Sequence, residues 1–256
     1  MNRPRGAARN RTGIAAVPED AEATIDGARA GVPSPHFETR ALTAARLACG
    51  RVATPVGSMP LPVTVEGAGR SALDALQRRQ PLVFLDLVGA RMAFERTGTR
   101  LYEALMAKLE VARSPVWPAH DDLERIRDEE LAHVGLLMRA TESLGADPTA
   151  MTPGADVAGV AGRGLIDAIT DPRTTPLEAV EAILVAELVD NDGWLVLADL
   201  SARLGHEEMA ADFRHAMAEE EEHLARVRAW LTAAVDREAG FAAEAPGIIE
   251  HLPHPH

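Results

Sequence analysis

Cysteine is almost missing from this chain. Cys49 is the only one in 256 residues, so no intrachain disulfide, cysteine-ligated zinc site or iron–sulfur cluster can be built. Aromatic residues are scarce too, at 4% of the total. With Ala and Leu dominating the apolar set, this favours close-packed helices over a sandwich or barrel of short strands. Long hydrophobic runs are absent: none approaches the ~18 residues needed to cross a bilayer. The N-terminal segment MNRPRGAARNR is basic, but the apolar stretch that a secretory signal needs does not follow it. Leu47-Ala48-Cys49-Gly50 has the outline of a lipoprotein cleavage site, with Arg46 before it and no apolar segment. Positive charge is in deficit. The formal net charge is −13, which disfavours nucleic acid and anionic lipid as partners and suits a protein that attracts cations. Together these absences predict a cytoplasmic protein with no membrane or nucleic-acid partner.

Hydrophobic residues are nevertheless 46% of the chain, enough for a core. Residues 1 to about 70 are rich in Pro, Gly, Ala and Arg without a sustained apolar period, and read as a disordered or loosely attached arm. A short helix over Ser71–Arg79 would end at Pro81. The main domain is expected over 71–237, and 238–256 as a flexible tail whose His251, His254 and His256 belong to the tail rather than to a site.

Four amphipathic stripes organise that domain. The first carries Val88, Met92, Glu95, Thr99, Tyr102, Met106 and Leu109 on a helix of about 30 residues from Pro81, ended by Ser114, Pro115 and Pro118. Asp121 and Glu124 have the spacing of a cap and its N3 partner. The second stripe follows, with Leu123, Ile126, Glu130, His133, Leu137 and Leu144, stopped by Gly145 and Pro148. A long connection over 146–175 contains a short helix at about Val157–Thr170. Thr175-Pro176-Leu177-Glu178 then opens the third helix, with Val180, Ile183, Glu187, Asn191, Trp194, Ala198 and Ser201 on its stripe and Gly205 as its stop. The fourth stripe is Phe213, Met217, Glu220, His223, Val227 and Trp230. The predicted fold is all-α: two antiparallel helical hairpins joined by a long crossover.

Each stripe has a Glu in its middle. The second and fourth add a His three residues later, in Glu130-Leu131-Ala132-His133 and Glu220-Glu221-Glu222-His223, so Glu and His share a face. Four unpartnered buried carboxylates would be prohibitive, whereas two divalent cations neutralise them. Metal ligation by Glu95, Glu130, His133, Glu187, Glu220 and His223 follows. The hairpins repeat: Glu95 to Glu130 spans 35 residues and Glu187 to Glu220 spans 33. Tyr102 and Trp194 each lie seven residues after the first Glu of their hairpin and fit equally a plain core position and the lining of the site. Taken singly, Glu95 and Glu187 fit a solvated face or a core ion pair, with Arg91 and Arg100 as candidate partners. Asp190 and Asn191 flank the third stripe as outer-shell or solvent-facing groups. Glu129 lacks the phase of Glu130, and Glu219, Glu221 and Glu222 read as a solvated face. Asp212-x-x-His215 falls off the stripe.

These residues resemble the ferritin-like superfamily, including bacterioferritin and rubrerythrin, over roughly residues 81 to 236. The segment from Glu95 to Tyr102 is similar to the first-helix Glu-x6-Tyr of those proteins. Glu130/His133 and Glu220/His223 are similar to their paired Glu-x-x-His motifs, and Glu187 to their third-helix Glu. The resemblance implies a ferritin-like four-helix bundle with Glu130 and Glu220 bridging two metals, Glu95 and Glu187 as terminal carboxylates, and His133 and His223 as terminal nitrogen ligands. The crossover is longer than in compact ferritins, and no cysteine-rich rubredoxin domain accompanies the helices. Hard oxygen and imidazole donors without thiolate suit two Fe ions, with Mn as the alternative. The expected activity is that of a di-iron oxidoreductase taking Fe(II) and O2 or peroxide, in a homo-oligomer. An iron storage or cargo subunit and a metal-free helical interaction or stress protein are the alternatives.

Overall fold

The computed structural model describes residues 26, 35–54, 56–59, 81–112 and 117–241. Among them are six α-helices and no strand, so the protein is all-α. Most of the expected arm, the expected helix over Ser71–Arg79 and residues 242–256 of the tail lie outside the described residues. None of the described helices is long and apolar enough to cross a membrane.

The chain divides into two compact units at Pro55. In the first, helix α1 runs over Pro35–Val52. The sequence reading placed no helix there. Its side chains from Arg40 to Val52 are all exposed, and its Ala, Leu and Arg content supplies helix propensity. Cys49 is exposed on this helix.

The second unit holds α2 (Pro81–Ala112), α3 (His120–Ser143), α4 (Pro153–Thr170), α5 (Pro176–Leu204) and α6 (Glu207–Ala239). The start of α5 is as the sequence predicts: Thr175 Oγ1 accepts from the Glu178 backbone N–H and Glu178 answers to the Thr175 N–H, a complete capping box. Gly205 and Gly240 close α5 and α6 in the left-handed region, at φ 84° and 85°. The expected cap at Asp121 is corrected. Helix α3 begins at His120 with Ala119 as N-cap and no side-chain cap bond. Asp121 therefore sits inside the first turn, where its charge favours the positive end of the helix dipole instead. Helix α4 starts at Pro153, four residues before the expected Val157, because Thr152 caps it by accepting from the Ala155 N–H.

Helix α4 is the crossover, and it runs parallel to α2. The seats are successive: Gly89 beside Thr152, Gly162 beside Thr97, and Lys108 donating to the Asp171 and Thr174 carbonyls at 2.9 Å. A Cβ at Gly162 would stand 2.8 Å from Thr97 Cγ2, so glycine permits this close approach. Having climbed the length of α2, the chain re-enters as α5 antiparallel to α2. Two apolar layers result. One gathers Leu105 and Leu109 of α2, Leu123 and Ile126 of α3, Ile183 of α5 and Val227 of α6. The other gathers Phe84 and Val88, Leu137, Trp194 and Leu197, and Phe213 from the opposite ends of the same four helices. Between these layers lies a buried polar level.

Replacing Thr175 with Ala is expected to destabilise the protein by about 1 kcal/mol through loss of the cap, read as a lower urea midpoint at unchanged slope.

Candidate metal centre

The polar level contains every ligand predicted from sequence. Glu95, Glu130, His133, Glu187, Glu220 and His223 are all buried, none more than 2% exposed. Their ligand atoms fall into three overlapping groups, each spanning no more than 4.8 Å. These are Glu130, Glu187, Glu220 and His223; Glu95, His133 and Glu220; and Glu95, Glu130, Asp190 and Glu220. Glu220 belongs to all three, and Glu95 and Glu130 to two each. Antiparallel helices make this convergence possible, because the mid-stripe Glu of each helix reaches the same height along the axis.

The two imidazoles are oriented alike. His133 Nδ1 faces inward, 2.8 Å from Glu220 Oε1 and 3.4 Å from Glu95 Oε2. His223 Nδ1 lies 3.2 Å from Glu220 Oε2 and 3.8 Å from Glu130 Oε1. Each Nε2 faces outward to a carboxylate on the opposite hairpin. His133 Nε2 is 2.9 Å from Glu219 Oε2, and His223 Nε2 is 2.7 Å from Glu129 Oε2. An outer carboxylate that accepts from Nε2–H leaves Nδ1 free to ligate and raises its basicity. Sequence reasoning discarded Glu129 and Glu219 because it asked only whether each faced the core of its own helix. Read jointly, the two Glu-Glu-x-x-His runs carry the signal: the first Glu of each run serves the His of the other. Arg125 Nη1 holds Glu129 at 2.7 Å.

The residues expected near the site divide. Tyr102 donates its hydroxyl to Glu187 Oε1 across α2 and α5. Trp194 stacks edge-on against His133, ring centroids 5.2 Å apart. Asn191 Nδ2 bonds the main-chain carbonyls of Glu187 and Glu220, both at 3.0 Å, and ties α5 to α6. Asp190 is buried rather than solvent-facing. Arg91 pairs with Glu95 at 2.9 Å, as the ion-pair alternative anticipated, and also with Asp190 at 3.1 Å. Two glycines escaped the sequence reading. A Cβ at Gly98 would stand 2.0 Å from Glu130 Oε2, and one at Gly193 would stand 2.0 Å from Arg91 Nη1. Both positions are helical, so backbone conformation does not demand glycine and only the neighbouring side chain does.

Burial and mutual repulsion dominate the electrostatics. Burial pushes Glu130 well above the ordinary carboxylate range, and Glu220 and Glu95 add to the rise. Burial with the Glu220 charge lifts Glu187 to about 8, against the pull of His223 and Tyr102. Burial raises Asp190 strongly, with Arg91 opposing. Glu220 goes the other way, to about 2: burial would raise it, but hydrogen bonds from His133 and His223 outweigh that. Burial disfavours both imidazolium ions, yet Glu220 and Glu95 hold His133 up at about 11, and Glu220 with Glu187 holds His223 at about 9. Burial and Glu187 push the Tyr102 phenol well above its usual value, so it remains a donor. The metal-free centre is thus held together by protons.

The donor set fits metal ions. Glu130 Oε2 and Glu187 Oε2 are buried acceptors with no hydrogen-bond donor among the described residues, a condition that costs about 1–3 kcal/mol per group and that a bound cation removes. Five buried carboxylates and one buried guanidinium leave four negative charges, which two divalent ions offset when both imidazoles are neutral. No family model, curated protein or solved structure matches this chain.

Two outcomes follow. In chelator, stability should fall as pH rises from about 5 to 9. Glu187 and both imidazoles have raised folded-state pKa values, so their contributions are complete below the unfolded values of roughly 4.3 and 6.5 and are lost on the way up. Saturating Mn(II) should reverse that trend, since metal displaces the protons; urea midpoints at both ends of the range decide it. Second, Gly98→Ala should keep metal-free stability within about 1 kcal/mol of the parent, helped by helix propensity. It should nevertheless weaken Mn(II) binding about tenfold or more by displacing the Glu130 carboxylate, as titration calorimetry would show.

Proposed function

We propose that this chain is a ferritin-like four-helix bundle with a dinuclear metal centre, and that it acts as a di-iron oxidase with ferroxidase or peroxide-consuming chemistry. The observation that carries the reading is the meeting of two Glu-x-x-His pairs and two further Glu, one set from each of four helices, at a single buried point with carboxylate oxygens to spare. The sharing of Glu220 among all three groups supports a bridging role for it, and the resemblance to ferritin-like proteins gives the second bridging role to Glu130. Glu95 and Glu187 are then terminal carboxylates and His133 and His223 terminal nitrogen donors. Iron suits this donor set, with manganese as the alternative.

The chain's own contribution is orientation and exclusion of water. The apolar layers above and below the polar level dry the centre and strengthen every charge interaction within it. Glu129 and Glu219 fix the imidazoles with Nδ1 inward. Tyr102 steers one oxygen of Glu187 and leaves the other for a ligand. Two ferrous ions held here would supply two electrons to O2 or peroxide. The reading keeps the cytoplasmic location and the homo-oligomer expected from sequence. Five apolar side chains on the outer face of α5 (Val185, Leu188, Val189, Leu195 and Val196), each 44–55% exposed, support self-association.

Anaerobic loading with Fe(II) should give two ions per chain. Admission of O2 should then produce the near-ultraviolet absorption of an oxo-bridged ferric pair. Glu130→Ala/Glu220→Ala should lose both the uptake and the absorption. Unchanged binding in that double variant would place the ligands elsewhere, and no binding in the parent would leave a metal-free helical protein.

A further inference from the structure

The two halves of the centre are related by a sequence repeat, and the repeat is broken around Arg91 and Asp190. Counting from Glu95 and from Glu187, seven residues on come Tyr102 and Trp194. Three residues on come Gly98 and Asp190. Four residues back come Arg91 and Ile183. The second half therefore carries an acid where the first has glycine, and the first carries a base where the second has isoleucine. The odd acid and the odd base meet: Arg91 Nη2 is 3.1 Å from Asp190 Oδ1, and Arg91 Nη1 donates to the Asp190 carbonyl at 3.3 Å. Arg91 Nε lies 2.9 Å from Glu95 Oε1.

This guanidinium is built in. Arg91 is 5% exposed, its charge lies 4.3 Å from the Phe94 ring centre, and Gly193 leaves the space that Nη1 fills. Its two carboxylate partners, Glu95 and Asp190, belong with Glu130 and Glu220 to a group of four acids whose ligand oxygens lie within 4.8 Å. That group contains no histidine and has the all-oxygen character of a hard-cation site.

We propose that Arg91 is a resident cation that closes this third carboxylate group to metal and limits the centre to two ions. The inference rests on the dinuclear reading above. The charge count agrees. With Arg91 present, two divalent ions neutralise the five carboxylates and a third would leave two positive charges in excess. Without Arg91, two ions leave one negative charge uncompensated and the Glu95 and Asp190 oxygens that it held are freed; a third ion can take these donors, more weakly than the first two because it overshoots by one charge. Arg91 is a positioning and selectivity residue here, not a ligand.

The test is metal stoichiometry by equilibrium dialysis of the full chain against Mn(II), followed by elemental analysis, with helix content checked by circular dichroism. The parent should hold two ions per chain and Arg91→Gln three. Arg91→Lys, which keeps the charge, should hold two, and so should Arg91→Gln/Asp190→Asn, which removes the acid that the loss of Arg91 leaves without its ion pair. Gly193→Ala provides a second route: its methyl group crowds Nη1 out while leaving every charge in the sequence intact, and it should also admit a third ion. If Arg91→Gln fails to fold, Gly193→Ala decides. Two ions in each of the folded variants would overturn the inference while the dinuclear centre stands. A parent that holds three ions would overturn it as well. A parent that holds none would overturn the centre and this inference together.

Discussion

Five carboxylates at one level of a helical core are the constraint on which the rest of this structure depends. Charges of one sign in a low-dielectric interior are tolerable only when cations or protons stand among them. The protein supplies one permanent cation, Arg91, and two conditional ones, His133 and His223, whose raised pKa values show how strongly the carboxylates hold their protons. The remaining deficit is met by protons on Glu130 and Glu187 in the metal-free protein. The same electrostatic deficit that makes the metal-free centre a proton trap is what a divalent ion would relieve, and ion and protons would compete for the same oxygens.

The helical frame exists to hold that level at a fixed height. Antiparallel pairing of α3 with α6 sets the reciprocal contacts of His133 with Glu219 and of His223 with Glu129. A shift of one turn along either helix would break both. The parallel crossover α4 makes α5 antiparallel to α2, which brings Glu187 to Tyr102 and Asp190 to Arg91. Apolar layers on both sides then keep water from screening these interactions, so side-chain packing and site chemistry are coupled through the local dielectric.

Symmetry and its breaking have separate causes. A repeated hairpin yields near-equivalent Glu and His positions from one structural solution used twice. Within it, Tyr102 finds an acceptor in Glu187. Trp194, its counterpart, has a buried indole N–H without a hydrogen-bond partner among the described residues and packs on His133 instead. The oxygen that the repeat would offer to Trp194 is on Glu95, which Arg91 and His133 occupy. Inserting the Arg91–Asp190 pair thus reorganised one half of the centre and left the other with its tyrosine–carboxylate bond.

Much of this was legible in the residues alone, because helical periodicity is local. The stripes of α2, α3, α5 and α6, the capping box at Thr175 and the phase that puts Glu95, Glu130, Glu187 and Glu220 inward all follow from spacings of three and four. The meeting of four inward acids and two inward histidines follows as well, since each occupies the buried face of its own helix. What local pattern could not contain was contact between helices. Glu129 and Glu219 face the rim of their own helices, and only the antiparallel register turns that rim toward a partner's imidazole. Gly98 and Gly193 look like weak helix formers until Glu130 and Arg91 arrive from neighbouring helices. Asp190 and Arg91 lie 99 residues apart, and nothing in either stretch announces the other. Sequence determined the burial of the mid-stripe acids and histidines, because burial there follows each helix's own period. Tertiary structure decided which of them would touch, because that depends on the relative height and direction of helices that the chain brings together only after the crossover.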